Sequence, residues 1–200
     1  ISDITVSAGS TTGTASFTPT DDNIFEADET AIVSISSVSG ADATESGTQS
    51  ETITISADGD AAPTVTLATS ASSIDENAGT SLTLTATLSN PTNADVTVSL
   101  STGGTGTEGT DYSTISDITI SAGSTTGTAS FTPTDDSVYE GDETGIVSIS
   151  SVSGGSASES GTQSVTITIN ENESAPTVTL TTSATSIDEN SGSVLTLTAT

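Results

Sequence analysis

Along much of the chain single apolar residues alternate with Thr and Ser, in runs too short and too regular for a helix. Ser81-Leu82-Thr83-Leu84-Thr85-Ala86-Thr87-Leu88 sets three leucines and an alanine on one side of an extended backbone and hydroxyls on the other. Asp95-Val96-Thr97-Val98-Ser99-Leu100 and Ser164-Val165-Thr166-Ile167-Thr168-Ile169 repeat the scheme. A period of two marks a strand with one buried face, and Thr, being β-branched, fits that setting. No window carries an apolar stripe at the helical spacing of about 3.6 residues, so the pattern predicts an all-β chain. Strands are expected near 63–69, 81–89, 95–101, 115–121, 126–133, 144–151 and 163–170, with Gly, Ser, Asn and Asp between them as turns require. Seven short strands in about 110 residues suit a two-sheet Greek-key sandwich of the immunoglobulin-like type. Its inward face would carry Val65, Leu67, Leu82, Leu84, Val96, Val98, Ile118, Ile120, Phe131, Ile149, Val165 and Ile167.

The chain also resembles itself. Ile1-Ser2-Asp3-Ile4-Thr5 returns 114 positions later at Ile115-Ser116-Asp117-Ile118-Thr119, and DDNIFEADET from Asp21 returns at the same offset as DDSVYEGDET from Asp135. Pro63-Thr64-Val65-Thr66-Leu67 returns at Pro176 to Leu180, an offset of 113, so one residue is lost between the last strand and the proline. A period of this length is a whole domain rather than a solenoid turn. The expected organisation is the later part of one repeat (1–61), a complete repeat (62–174) and the opening of a third (175–200). Domains cut through a sheet leave open edges, so the chain reads as part of a longer tandem array.

Composition narrows the chemistry. The 200 residues hold 27 carboxylates and no Lys, Arg or His, a formal charge of −27; Ser and Thr number 37 and 43, and Cys, Met and Trp are absent. Low aromatic content with such a charge would by itself suggest disorder, but the alternation argues for strands. Without a cation the surface cannot neutralise phosphates, which excludes nucleic acid and anionic membranes as expected partners. Without His or Cys the usual nucleophilic and zinc chemistries are missing. No apolar run is long enough to span a bilayer, and no disulfide is possible. No enzymatic activity is expected.

The acids are unevenly spread. Of the 14 between residues 62 and 175, most fall between the expected strands: Asp75-Glu76 after the first, Asp111 before the fourth, Asp135, Asp136, Glu140, Asp142 and Glu143 after the fifth, and Glu171 and Glu173 after the last. Antiparallel connectivity brings the loops after strands one, three, five and seven to one end of a sandwich. Two carboxylates about 4 Å apart repel by roughly 4 kcal/mol at an effective dielectric of 20. Six to eight of them therefore require raised pKa values or a cation from solvent. Calcium takes about 6–8 oxygen ligands in irregular geometry and suits such a site better than magnesium. Asp95, Glu108, Asp117 and Glu159 lie outside this set and are expected to be solvated loop acids.

Four segments in order, D-E-N-A-G (75–79), G-T-D-Y (109–112), DDSVYEGDET (135–144) and V-T-I-T-I-N-E-N-E (165–173), resemble the Calx-beta domain. That resemblance implies a calcium-binding β-sandwich of the kind found in sodium/calcium exchangers, integrin β4 and large bacterial surface proteins, with Ca2+ at the end where one domain meets its successor. Carried over position by position, it implies Glu76, Asp111, Asp135, Asp136, Glu140, Glu143, Glu171 and Glu173 as ligands. In the first copy the matching residues are Asp21, Asp22, Glu26, Glu29, Asp58 and Asp60; in the third, only Glu189 is present. The run Asn170-Glu171-Asn172-Glu173 stands where exchangers carry consecutive aspartates.

The expected function is a calcium-rigidified spacer repeat in a large secreted adhesin, stalk or filament, located outside the cell, where calcium is abundant. Its partners would be neighbouring repeats of the same chain, with lateral or end-to-end self-association once calcium cancels the repulsion. Two alternatives remain open at this stage: a regulatory calcium sensor as in the exchangers, and an ice- or glycan-binding surface built on Thr64 to Thr66 and Thr83 to Thr87.

Overall fold

A computed structural model describes residues 1–57 and 59–200. All the regular structure among them is β. β1 (Glu29–Ser34) and β2 (Ser50–Ile55) form a two-stranded sheet. Between them and the C-terminal pair stand β3 (Thr64–Thr69), β4 (Ser73–Asp75), β5 (Leu82–Leu88), β6 (Val96–Gly104), β7 (Ile118–Ile120), β8 (Thr126–Phe131), β9 (Glu143–Ser153), β10 (Ser158–Glu159) and β11 (Ser164–Asn170). β12 (Leu180–Thr182) pairs with β13 (Leu197–Ala199).

The central residues build two sheets, ordered β10-β3-β5-β8 and β4-β11-β9-β6-β7. Each of the seven expected segments holds a strand, and two short ones are added. β10 pairs in parallel with β3, and β4 pairs in parallel with β11. The chain leaves β3 in one sheet and enters the other at once through β4. The hydroxyl-facing alternation does what it should: on β5, Leu84, Ala86 and Leu88 are buried while Thr83 and Thr87 face water. A register shift at Ser99/Leu100 bends β6 where it pairs with β9. There Asp117 accepts from the Leu100 N–H (3.1 Å) and the Ser99 hydroxyl (3.0 Å).

Eighteen apolar side chains from Val65 to Ile169 form one core, all within the central residues. Ten of the twelve positions expected to face inward are in it. Leu82 and Val165 are only half-buried, because each lies at the end of its strand, where the opposite sheet no longer covers it. Of the eight core members outside that list, Ala86, Leu88, Ala129, Val147 and Ile169 lie on the expected strands, while Ile74, Tyr112 and Ile115 lie in or beside connections where alternation gives no signal. The largest is Tyr112, stacked on Phe131 with ring centroids 4.7 Å apart and an interplanar angle of 24°.

The outer segments repeat the central registers. β1–β2 pairs Glu29 with Ile55 as β9–β11 pairs Glu143 with Ile169, and β12–β13 pairs Leu180 with Ala199 as β3–β5 pairs Leu67 with Ala86. Val178 and Leu180 are exposed where their counterparts Val65 and Leu67 are buried, because no second sheet packs on them.

Candidate metal centre

Four connections deliver carboxylates to one end of the central sandwich, and the sheets set their relative positions. The parallel pairing of β4 with β11 lays Ser73–Asp75 along Thr168–Asn170. It continues one residue further, the Glu76 N–H donating to the Asn170 C=O at 3.0 Å. Glu76 and Glu171, 95 residues apart, thus leave the sheet side by side. The last β6–β9 pair, Gly104 with Gly145, brings the loop after β6 beside Glu143. Gly104 has a positive φ of 110°, and a Cβ there would stand 2.1 Å from the Thr144 C=O, so only glycine allows this approach. The loop closes on itself through the Thr107 N–H, which donates to Asp111 Oδ2 at 2.6 Å. It is tied to the exit of β8 by the Thr134 N–H, donating to the Asp111 C=O at 2.9 Å. Tyr112 then anchors Asp111 from below by packing on Phe131.

The segment 135–142 folds around its own acids. Asp136 Oδ1 accepts from the Val138 N–H at 2.6 Å, and Asp142 Oδ1 accepts from the Glu171 N–H at 3.1 Å. Glu171 is the hub. Its Oε2 accepts from the N–H groups of Glu140 (2.6 Å) and Gly141 (2.8 Å), its Oε1 from those of Asn172 and Glu173 (both 2.9 Å). Four backbone donors on one carboxylate join the fifth connection to the segment after β11.

Two groups of carboxylate oxygens result, each within 4.8 Å: Glu76, Glu171 and Glu173, and Asp111, Glu140 and Glu143. A cavity of about 10 Å³, room for one water-sized particle, lies between them, lined by Glu76, Asp111, Glu140, Glu143, Glu171, Gly141 and Ile169. Asp135 is tied to the segment after β11, its Oδ1 3.5 Å from Asn172 Nδ2, and its charge acts on Glu76. The eight central acids singled out in the sequence are therefore close neighbours.

Their electrostatics follow. Desolvation, then the negative charge of Glu171, raises the Glu76 carboxyl above its ordinary value, partly offset by a backbone hydrogen bond from Asp136. Desolvation and the nearby Asp111 raise Glu140 and Glu143. Glu173 is raised because its hydrogen bond to Glu171 needs a proton, and because it is desolvated. Glu171 goes the other way, its backbone donors holding it down to about 2. Glu173 Oε2 is buried with no hydrogen-bond partner among the described residues. Acids grouped so that four ionised carboxylates are destabilised, a fifth is held ionised and a buried oxygen is left without a partner among the described residues could accept a hard cation.

The first copy is built differently. Asp22 Oδ1 accepts from the Ile24 N–H (2.8 Å), as Asp136 does from Val138. Asp28 Oδ1 accepts from the Ala57 N–H (2.9 Å), as Asp142 does from Glu171. The offset of 114 therefore runs past β2, and Ala57 stands in the hub position. Matching Asp58 and Asp60 to Glu171 and Glu173 is corrected accordingly, since the missing residue falls after this point. Asp58 itself lies outside the described residues. Asp21, Asp22 and Glu29 are exposed, Glu26 and Asp60 half-buried, and among the described residues of 1–60 no three of these acids come together. Glu189 is exposed, and among the described residues it belongs to no acidic group of the central kind.

The four acids expected to be solvated also serve as structural ties, Asp95 and Asp117 while exposed and Glu108 and Glu159 half-buried. Asp95 accepts from the Ala122 N–H (2.8 Å), and Glu108 from the Ile115 N–H (2.7 Å) and the Thr102 hydroxyl (2.8 Å). Asp117 holds the bend in β6, and Glu159 accepts from the Gln163 N–H at 2.5 Å. The signal for the last was in the sequence: Glu45 and Gln49 repeat the spacing, and the bond, in the first copy (2.6 Å). Sequence reasoning also passed over Asn170 and Asn172 as positioning groups; Asn170 Nδ2 holds Asp75 at 2.8 Å.

The family described as LapA domain matches residues 60–172, and the family described as Calx-beta domain matches residues 2–59. The Calx-beta likeness read from the sequence is thus found, on the first copy, while the shared registers show that both copies are built on one plan. Among solved structures, the chain is similar to the crystal structure of the apo-form Calx CBD1 domain. The two are 17% identical with a TM-score of 0.46, over 56% of this chain and 99% of that one. No curated protein matches. No helix among the described residues is long and apolar enough to cross a membrane.

Proposed function

We propose, on the premise that this chain belongs to the LapA domain family and carries a Calx-beta domain at residues 2–59, that it is a calcium-binding spacer of a large extracellular adhesin, stalk or filament. The observation that carries the reading is the gathering of six carboxylates from four connections at one end of the sandwich, in a chain without a single cationic side chain. Glu76, Glu171 and Glu173 would hold one ion, Asp111, Glu140 and Glu143 a second, with Asp135 and Asp136 beside them. Bound calcium supplies the positive charge that lets these groups ionise together. The chain's own part is to place the oxygens: β4 beside β11 for Glu76, the Tyr112–Phe131 stack for Asp111, and four backbone donors for Glu171.

An ion held where one repeat meets the next stiffens the string of repeats, which is what a spacer needs. Its partners are then the neighbouring repeats, and laterally other copies once the charge is screened. Millimolar extracellular calcium would fill even weak sites. The test is thermal unfolding in calcium and in chelator. At free calcium 100 times Kd, linkage stabilises by about 2.7 kcal/mol per independent site. Superimposable transitions in the two conditions would remove the reading.

A further inference from the structure

The two copies of the acidic loop differ in a way the acids do not explain. In the second, Val138 and Tyr139 stand 59% and 45% exposed beside the carboxylates. In the first, Ile24 and Phe25 occupy the same places and both are half-buried. The following repeat lies against Phe25. Its N–H donates to the Pro91 C=O at 2.9 Å, and a parallel bridge joins it to Thr92. On either side Asn93 Nδ2 reaches Glu26 Oε1 at 3.5 Å, and Asn90 Nδ2 donates to the Ala61 C=O at 2.8 Å.

The receiving loop, between β5 and β6, is rigid. Thr92 is buried, and its C=O accepts from the Gly123 N–H at 2.8 Å. Its side chain fills the space above Gly155, where a Cβ would come within 2.5 Å of Thr92 Cγ2. The Thr64 N–H donates to Ser89 Oγ at 3.0 Å, and Ser89 Oγ donates to Asn90 Oδ1 at 2.9 Å, which fixes the other end. The central bond joins two backbone groups, so it needs no ion.

We propose that Phe25 is a docking knob that seats one repeat on the Asn90–Asn93 loop of the next in the absence of calcium. The inference rests on the spacer reading, and it adds a second, ion-independent hold on the angle between repeats. Tyr139, at the corresponding place in the second copy, is 45% exposed.

The absence of cysteine makes the test clean, since spin labels attach only where a cysteine is placed. Ser34→Cys in β1 and Thr128→Cys in β8 are exposed positions on either side of the junction. Pulsed dipolar spectroscopy on the full chain in excess chelator is expected to give one narrow distance distribution. Phe25→Pro, which removes the N–H, and Phe25→Ala, which removes the ring, are each expected to broaden it at least about twofold; Tyr139→Ala should leave it unchanged. A distribution already broad in the parent, one that stays narrow in both Phe25 variants, or broadening by Tyr139→Ala would each overturn the proposal. A distribution narrow only with calcium rejects the knob. A narrow one in chelator, in a chain whose melting ignores calcium, keeps the knob and rejects the ion.

Discussion

Gly145 offers a way to disturb the acidic end from inside the core. It lies in β9 two residues beyond Glu143, under the stacked rings of Tyr112 and Phe131. A Cβ placed on it would stand 2.6 and 2.8 Å from Phe131 Cε2 and Cζ, and 3.6 Å from Tyr112 Cε1. Carbon contacts settle at about 3.5–4.0 Å, so in Gly145→Ala the Phe131 ring must retreat by about 1 Å. It is fully buried and has nowhere free to go. Overpacking of this kind costs about 1–3 kcal/mol, and replacing a strand glycine returns roughly 0.5–1 kcal/mol. The expected net loss is about 1–2 kcal/mol, or roughly 5–10 °C in Tm for a domain of this size. The displaced ring pushes on Tyr112, and Asp111 is the next residue along the chain. Its group with Glu140 and Glu143 spans at most 4.8 Å, so a shift of that size opens it. Calcium affinity is expected to fall about tenfold, the low end of what a disturbed supporting residue costs. Calorimetric melting and a calcium titration measure both effects. Gly103→Ala is the control, in the neighbouring strand with nothing within 4 Å of its Cβ position. If Gly145→Ala melts and binds calcium like the parent, the stack does not position Asp111 and the reasoning fails.

Other outcomes are expected from the same geometry. Glu76, Glu140, Glu143 and Glu173 are raised in the folded chain and Glu171 is held at about 2. A raised group contributes stability below its unfolded value that is lost as pH climbs through the folded one; Glu171 contributes above its unfolded value and loses this progressively as pH falls from there to about 2. In chelator, Tm should therefore fall as pH climbs above the ordinary carboxylate range, while in calcium it should rise, because ions require ionised carboxylates; parallel profiles would refute the cluster's role. Glu171→Gln keeps the shape but offers one acceptor oxygen to four N–H donors, and calorimetric titration should show calcium binding weakened about 10- to 100-fold. Unchanged affinity would show that Glu171 is not the hub. Asp117→Ala removes the bonds to Leu100 and Ser99 at the bend of β6, costing about 1 kcal/mol in denaturant unfolding with calcium binding intact. Loss of binding without loss of stability would contradict its assignment as a structural tie.

Much of this protein was legible in its sequence, because strands announce themselves locally. Alternation of Leu, Val and Ile with Thr and Ser determined the β class, the seven main strands and ten inward positions, since a side chain's face depends only on the residue before it and the one after. The 114-residue self-similarity reappears in the strand registers, and the clustering of acids between strands identified the end where they meet. What each carboxylate does was decided by the tertiary structure alone. Asp95, Glu108, Asp117 and Glu159 look like loop acids and became ties, because backbone N–H groups from distant residues happen to face them. Glu171 and Glu173 are two residues apart and nearly indistinguishable in sequence. One collects four backbone donors and stays ionised, while the other is left with a buried oxygen and a raised pKa. The one-residue slip that puts Ala57 in the hub position became visible only through the bond from Asp28. Strand pattern is a property of neighbours along the chain; the state of a charge is a property of neighbours in space, and only the packed sheets bring those together.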